Sequence, residues 1–389
     1  MEFNLDAVLK LMVAKKASDL FISAGFKPSM KVKGTLYAIT DQPMSMVEAR
    51  DFVLLTMTPS QKEEFERTRE CQYAISATGV GRFRVSAFYQ RNCVGMVVRR
   101  IETNIPTIEE LDLPPIIKDL AMTKRGIIIF VGATGTGKST SLAAMVGHRN
   151  RNSTGHIITI EDPIEYVHQH SGCMVTQREV GIDTVSWENA LKNTLRQAPD
   201  VILIGEVRTR ETMEHAINFA ETGHLCLCTL HANNANQAID RILHFFTEDR
   251  REQLLMDLSL NLKGIVAQQL VPTVNGQGRK VAMEILIGTP LVQDHIRTGE
   301  LHKIKDVMKQ SSLQGMQTFD QCLVALHREG HISYEHALQY ADSANEVRLN
   351  IKLSQGGDMH SLSNGMSDVE LVSDQKSGTP GNEFSLSLE

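Results

Sequence analysis

Cysteine is scarce in this chain of 389 residues: there are six, at positions 71, 93, 173, 226, 228 and 322, and no two form a C-x-x-C pair. That usage excludes a disulfide scaffold and argues against a cysteine-held metal, so reduced thiols are expected. Long apolar runs are missing too. Stretches such as Ile127–Val131 have the length of a buried strand, well short of the ~20 residues a membrane helix needs. Nor is there an excess of positive charge. Forty Lys and Arg against 46 Asp and Glu leave a net charge of −6, which argues against a dedicated nucleic-acid binder, whose phosphate contacts call for a basic domain. The opening MEFNLDAVLKLMVAKK carries Glu2 and Asp6 early and spaces its apolar residues, so it does not read as a secretory signal and a cytoplasmic chain is expected. What is present, 42% hydrophobic and 22% charged residues, suits a soluble globular protein of two or three domains.

The organisation changes twice along the chain. Up to about residue 102 a helix at Leu5–Val13 precedes strands at Ser18–Ser23 and Met30–Ile39, the latter a hairpin partner through Lys33-Gly34. Helices follow at Met46–Met57 and Ser60–Arg67, the second with Ser60 as N-cap and Glu63 three residues on. Further strands fall at Tyr73–Ser76, Gly81–Tyr89 and Gly95–Ile101, so a small α+β domain with an antiparallel sheet is expected. Residues 103–115 hold three prolines and read as a linker. From Arg125 short apolar strands (GIIIFVG, HIITIE, VILIG, LCLCTL) alternate with helices at Lys138–Arg149, Trp187–Gln197, Arg210–Glu221 and Ala235–Phe246. That alternation predicts an α/β domain, 116–353, with a mostly parallel sheet. Beyond Arg251 the pattern looks mainly helical, beginning with Gln253–Gln269. The remainder, 354–389, is rich in Ser, Gly and acid with one basic residue, Lys376, and reads as a disordered tail; Phe384, Leu386 and Leu388 give it the alternative of a docking peptide.

One motif carries explicit chemistry. Gly132-Ala133-Thr134-Gly135-Thr136-Gly137-Lys138-Ser139 fits G-x-x-x-x-G-K-[ST], follows an apolar strand and opens a helix that continues with Thr140. Its glycines let successive N–H groups face phosphate oxygens, its lysine reaches the β- and γ-phosphates, and the Ser139 hydroxyl ligates Mg²⁺. ATP with Mg²⁺ is the expected ligand. Glu206, closing the strand Val201–Ile204, is the candidate for polarising the attacking water, with Asp200 as its rival and a strand-entry acid as the reading for that rival. Glu161 and Asp162 end another strand on the same sheet edge and can position the nucleophile or hold Mg²⁺. His224 and His231 flank Leu225–Leu230 at opposite ends, so at most one of them meets the γ-phosphate. His168 and His170 read as surface loop.

Taken in order, GATGTGKS, TIEDPIEYVH, PDVILIGEVRTRET and TGHLCLCTLHANNA resemble the Walker A, Asp box, Walker B and His box of bacterial secretion and type IV pilus motor ATPases, over roughly residues 5–350. The resemblance implies a PAS-like N-terminal domain, a RecA-like P-loop ATPase domain and a homo-hexameric ring with ATP between domains. QQLVPTVNGQGRKVAMEILIGTP lacks the four-cysteine zinc motif of the extension ATPases, and no additional N-terminal domain precedes the PAS-like one. Both features resemble the retraction branch, the PilT/PilU family. Phe21 in ASDLF, the divergent LVQDHIR at 291–297, Gln197-Ala198-Pro199 and the acidic tail are similar to the PilU type, which implies a helper acting with a PilT-type ATPase at the inner-membrane pilus platform protein. An independent PilT-type motor, and less favourably a RecA-like nucleic-acid translocase, remain the alternatives. The resemblance also assigns Arg84 and Arg99, which match arginines that approach the γ-phosphate; a solvated strand face is the other reading. Of the two histidines His231 is the candidate site residue, and Arg208 is a weaker candidate.

Overall fold

A computed structural model describes residues 4–354. The tail expected at 354–389 therefore lies outside the described residues, save for Ser354. The first half contains α1 (Leu5–Ala14), β1 (Asp19–Ser23), β2 (Ser29–Val32), β3 (Thr35–Ala38), α2 (Met46–Leu55), α3 (Pro59–Thr68), β4 (Glu70–Ala77), β5 (Gly81–Gln90) and β6 (Cys93–Arg100). Its strands form one antiparallel sheet in the order β3-β2-β1-β6-β5-β4. Lys33 and Gly34, both at positive φ, make the tight turn between β2 and β3. The cap of α3 lies two residues earlier than the sequence suggested. Thr58, not Ser60, accepts from the Gln61 N–H, and Pro59 occupies the first helical position, where its missing N–H costs nothing. Along β5 the side chains alternate: Phe83, Val85 and Ala87 enter the core with Leu20, Phe65, Tyr73 and Met96, while Arg82 and Arg84 point to the other face.

The second half runs α4 (Ile116–Ala121), β7 (Gly126–Val131), α5 (Lys138–Asn152), β8 (Gly155–Glu161), β9 (Cys173–Glu179), α6 (Trp187–Thr194), β10 (Val201–Ile204), α7 (Arg210–Glu221), β11 (Leu225–Leu230), α8 (Ala235–His244) and α9 (Glu248–Asn261). It continues with β12 (Leu262–Pro272), β13 (Arg279–Ile287), α10 (Pro290–Arg297), α11 (Ile304–Gln310), α12 (Phe319–Arg328), α13 (Tyr334–Gln339) and α14 (Ala344–Ser354). Its sheet has the order β13-β12-β7-β11-β10-β8-β9, parallel except for the antiparallel edge strand β13. Every residue of β7, β10 and β11 is buried, which requires cover on both faces. Ile128, Phe130, Leu203 and Leu227 face α4 and α5, whereas Ile127, Ile129, Ile202, Ile204 and Cys228 face the opposite helical layer. Residues 103–115 form no helix or strand, yet Ile108 and Leu113 are buried against that α4–α5 layer.

One long expectation fails. The helix read over Gln253–Gln269 stops at Asn261, and the chain enters β12, which pairs with β7 on one side and β13 on the other. Apolar residues at helical spacing continue across this junction, but Ile265, Val266 and Val271 are β-branched, and Gly264 sits where a Cβ would come 3.1 Å from the Leu286 carbonyl oxygen. Strand β9 was also not read from sequence, because an edge strand with Thr176, Gln177 and Arg178 offers little apolar pattern.

Candidate active site

Parallel strands bring their carboxyl ends to one edge of the sheet, where ligands of such folds bind. Four loops meet there, after β7, β8, β10 and β11, around a cleft of about 630 Å³. Gly132–Ser139 supplies its floor. Gly132, Gly135 and Gly137 all take positive φ. A Cβ on Gly132 would lie 2.6 Å from the Gln268 carbonyl oxygen, and one on Gly137 would lie 2.8 Å from Gln268 Nε2. Gln268, on β12, props the loop by donating from Nε2 to the Thr136 carbonyl at 2.8 Å. α5 starts at Lys138 with no side-chain cap, so its first N–H groups and the positive end of its dipole face the cleft. Lys138 is folded back, Nζ donating to the carbonyls of Gly132 at 2.7 Å and Ala133 at 2.9 Å. Burial lowers the Lys138 pKa, against the pull of Glu206 and Glu165. Ala133, Thr134 and Gly135 are exposed at the loop tip, and the Thr140 hydroxyl bonds the Tyr166 hydroxyl at 2.8 Å.

Opposite the loop stands Glu206. Gly205 before it leaves little room for a side chain, since a Cβ there would sit 3.1 Å from the Glu161 Cα. Glu206 Oε2 accepts from Arg208 Nη2 at 2.6 Å, and Oε1 lies 3.1 Å from His231 Nε2. The other ring nitrogen of His231 is 3.3 Å from the Gly132 carbonyl oxygen, so this histidine bridges the phosphate loop and the carboxylate. Asp200 is at the far end of β10, accepting from the His156 N–H at 2.7 Å, and His224 is at the far end of β11.

Glu161 and Asp162 line the same cleft with Ser139. Glu161 Oε1 accepts from the Thr159 hydroxyl at 2.6 Å and from Gln177 Nε2 at 3.2 Å, but burial pushes this carboxyl up to about 7. Between the unfolded value of 4.5 and about 7 the unfolded chain gives up a proton that the folded chain retains. The associated stability is thus present below the unfolded pKa and lost as pH rises through the folded one. Glu161→Gln keeps the accepting oxygen and does not titrate. Its melting temperature relative to wild type is expected to rise between pH 5 and pH 8, by an amount on the order of 2–3 kcal/mol in stability. Equal differences at the two pH values, measured by thermal denaturation, would refute this account of Glu161.

Arg84 and Arg99 are not brought to this cleft within the chain. They are cross-strand partners on β5 and β6. Arg84 Nη2 donates to Gln72 Oε1 at 2.8 Å and Nε lies 3.6 Å from Glu179 Oε1, at the end of β9. Arg99 Nε pairs with Asp19 at 2.8 Å. Two cleft residues escaped the sequence reading. His168, taken as surface loop, is half-buried in the cleft wall, and burial pushes its imidazole down to about 4, so it is neutral at physiological pH. Arg279 reaches the rim from β13, a strand the sequence pattern does not assign; the turn residues Asn275-Gly276 and Gly278 are the available signal.

The family model of type II/IV secretion system proteins matches residues 1–352. The chain is 64% identical over 381 residues to the type IV pilus ATPase PilU of Pseudomonas aeruginosa, covering 97% of this chain and 99% of that protein. It is 38% identical over 338 residues to the type IV pilus retraction ATPase PilT of the same organism, covering 87% and 98%. The crystal structure of the pilus retraction motor PilT with bound ADP superposes with a TM-score of 0.82 at 36% identity, covering 89% of this chain and 99% of that one. With the phosphate loop and its facing carboxylate at the strand ends, these matches show that the chain belongs to the type II/IV secretion system protein family, among its PilT/PilU-type ATPases.

Proposed function

We propose that this protein is an ATP-hydrolysing motor of type IV pilus retraction, acting as a PilU-type helper of a PilT-type ATPase. The observation that carries the reading is Glu206, held by His231 and Arg208 across one cleft from Lys138 and Ser139. In this proposal the Gly132–Thr140 segment binds the triphosphate, and Lys138 exchanges its two carbonyl partners for phosphate oxygens. The chemistry of the donor set suits Mg²⁺, because a hydroxyl at a helix start and an exposed carboxylate line the same cleft; Ser139 and Asp162 would hold it. When bound, the ion neutralises charge on the β- and γ-oxygens. Glu206 takes a proton from water as the water oxygen attacks the γ-phosphorus, the bridging P–O bond to the β-phosphate breaks, and ADP and inorganic phosphate leave. Glu161 orients that region, and Arg84 and Arg99 close on the γ-phosphate when the two halves of the chain close.

The reading extends to a homo-hexamer at the cytoplasmic base of the pilus, meeting the inner-membrane platform protein and no nucleic acid. The 38–64% identity to pilus motors over most of the chain supports it. The six-stranded antiparallel sheet supports a PAS-like domain over 1–102, ahead of a 103–115 linker and an ATPase domain over 116–353. Among the described residues no helix is long and apolar enough to cross a membrane. Lys138→Ala is expected to weaken ATP binding by at least ~10-fold, the scale of one charge-assisted bond to phosphate. The same variant should abolish twitching supported by this gene while a PilT-type ATPase is present. Nucleotide titration and a complementation assay check both. Salt-sensitive DNA binding with DNA-stimulated hydrolysis would instead favour a nucleic-acid translocase.

A further inference from the structure

The loop that presents His231 to Glu206 ends at Ala235, the first residue of α8. An α-helix leaves its first N–H groups without intrahelical partners. The cap residue Asn234 serves only the Gln237 N–H, at 2.9 Å. The Ala235 N–H is met from elsewhere, by Glu284 Oε1 at 2.8 Å. Glu284 lies in β13 and is 2% exposed. The amide of Phe319, the first residue of α12, favours the charged form of the same carboxyl, while the α12 cap Thr318 is occupied with the Gln321 N–H. One buried carboxyl thus bonds the start of α8 and lies under the influence of the start of α12. Behind it Lys305 Nζ donates to Asp342 at 2.7 Å, and Asp320 accepts from the Asp342 and Ser343 amides.

Burying a carboxyl is costly, and burial pushes this one up to about 7. A helix start in solvent needs no such group, because water or the cap suffices. What Glu284 adds is a fixed end for the short stretch Ala232–Asn234, whose other end is set by β11. With both ends set, the His231 ring is held between Gly132 and Glu206.

We propose that Glu284 is a positioning residue for hydrolysis: it anchors α8 so that the preceding loop holds His231 against Glu206, and it links that loop to the C-terminal helices through α12. This rests on the hydrolytic reading of Glu206 and His231 given above.

The test uses the full chain, with hydrogen exchange of the 231–238 and 316–322 segments and steady-state ATP turnover. Glu284→Ala is expected to speed exchange in both segments and lower kcat ~10-fold, the scale of losing one buried bond to a charged group, with KM changed less than twofold. Glu284→Gln keeps one accepting oxygen and should fall between wild type and alanine in both readouts. If the alanine variant does not fold, faster exchange at the Ala235 amide in Glu284→Gln decides the matter. In a His231→Ala background, adding Glu284→Ala should change kcat less than ~2-fold, because both act through one group. Unchanged exchange in the 231–238 segment, or losses that multiply in the double variant, would overturn the proposal. The exchange readout involves no hydrolysis, so it stands or falls separately from the role of Glu206.

Discussion

Arg84→Ala or Arg99→Ala is expected to lower ATP turnover by ~10³-fold or more while leaving nucleotide affinity nearly unchanged, the signature of an arginine that stabilises charge developing in phosphoryl transfer. Arg84 and Arg99 are cross-strand partners on β5 and β6, and like charges at such positions are unfavourable unless an anion lies beside them. Here Asp19 satisfies Arg99 with a 2.8 Å contact. Arg84 donates to the neutral Gln72 amide at 2.8 Å, and its anionic partner Glu179 is at 3.6 Å, longer than the 2.7–2.9 Å typical of a charge-assisted hydrogen bond. Glu179 is buried, its Oε2 has no hydrogen-bond partner, and neither has the Nε of neighbouring Arg82. Moving Arg84 to a phosphate would exchange the Gln72 bond and the looser pairing with Glu179 for charged oxygens. Arg99 is 71% exposed, and reaching a phosphate would cost its pairing with Asp19. In the proposed ring the two halves close only on assembly, so specific activity should rise with protein concentration. Turnover per protomer across a dilution series, alongside nucleotide affinity of both variants, measures this. Fully active arginine variants would leave these residues as a solvated strand face.

The alternation of buried strands and helices from Arg125 to Phe246 was legible because doubly covered strands must be apolar throughout, and GIIIFV, VILI and LCLCTL are. The phosphate loop was legible because its glycines answer a steric demand, now visible as Gln268 packed against Gly132 and Gly137. Gln268 itself was not, since nothing local distinguishes a strand glutamine that props a loop more than a hundred residues earlier. Strand β12 was lost to an apolar spacing that suits a helix equally well, and without it the partner strand β13, with Arg279 and Glu284, had nothing to pair with. His168 does lie in a loop, but it is half-buried in the cleft wall, which a one-dimensional pattern does not record.

Glu206→Gln retains the shape of the side chain and its hydrogen-bonding reach toward His231 and Arg208, but an amide has almost no basicity. The variant should bind ATP with near wild-type affinity and turn it over ~10²–10⁴-fold more slowly, the usual worth of a positioned general base. Of all substitutions in the cleft this one separates binding from chemistry most cleanly, because the hydrogen bonds of Glu206 go to Arg208 and His231 and not to the phosphate loop itself. The decisive measurement is a single-turnover experiment: ATP with Mg²⁺ is mixed with excess assembled protein, and the conversion of bound ATP to ADP is followed in wild type and Glu206→Gln. The account predicts rapid conversion in wild type and intact, tightly held ATP in the variant. ADP appearing at the wild-type rate in Glu206→Gln would contradict it and place the water-activating group elsewhere.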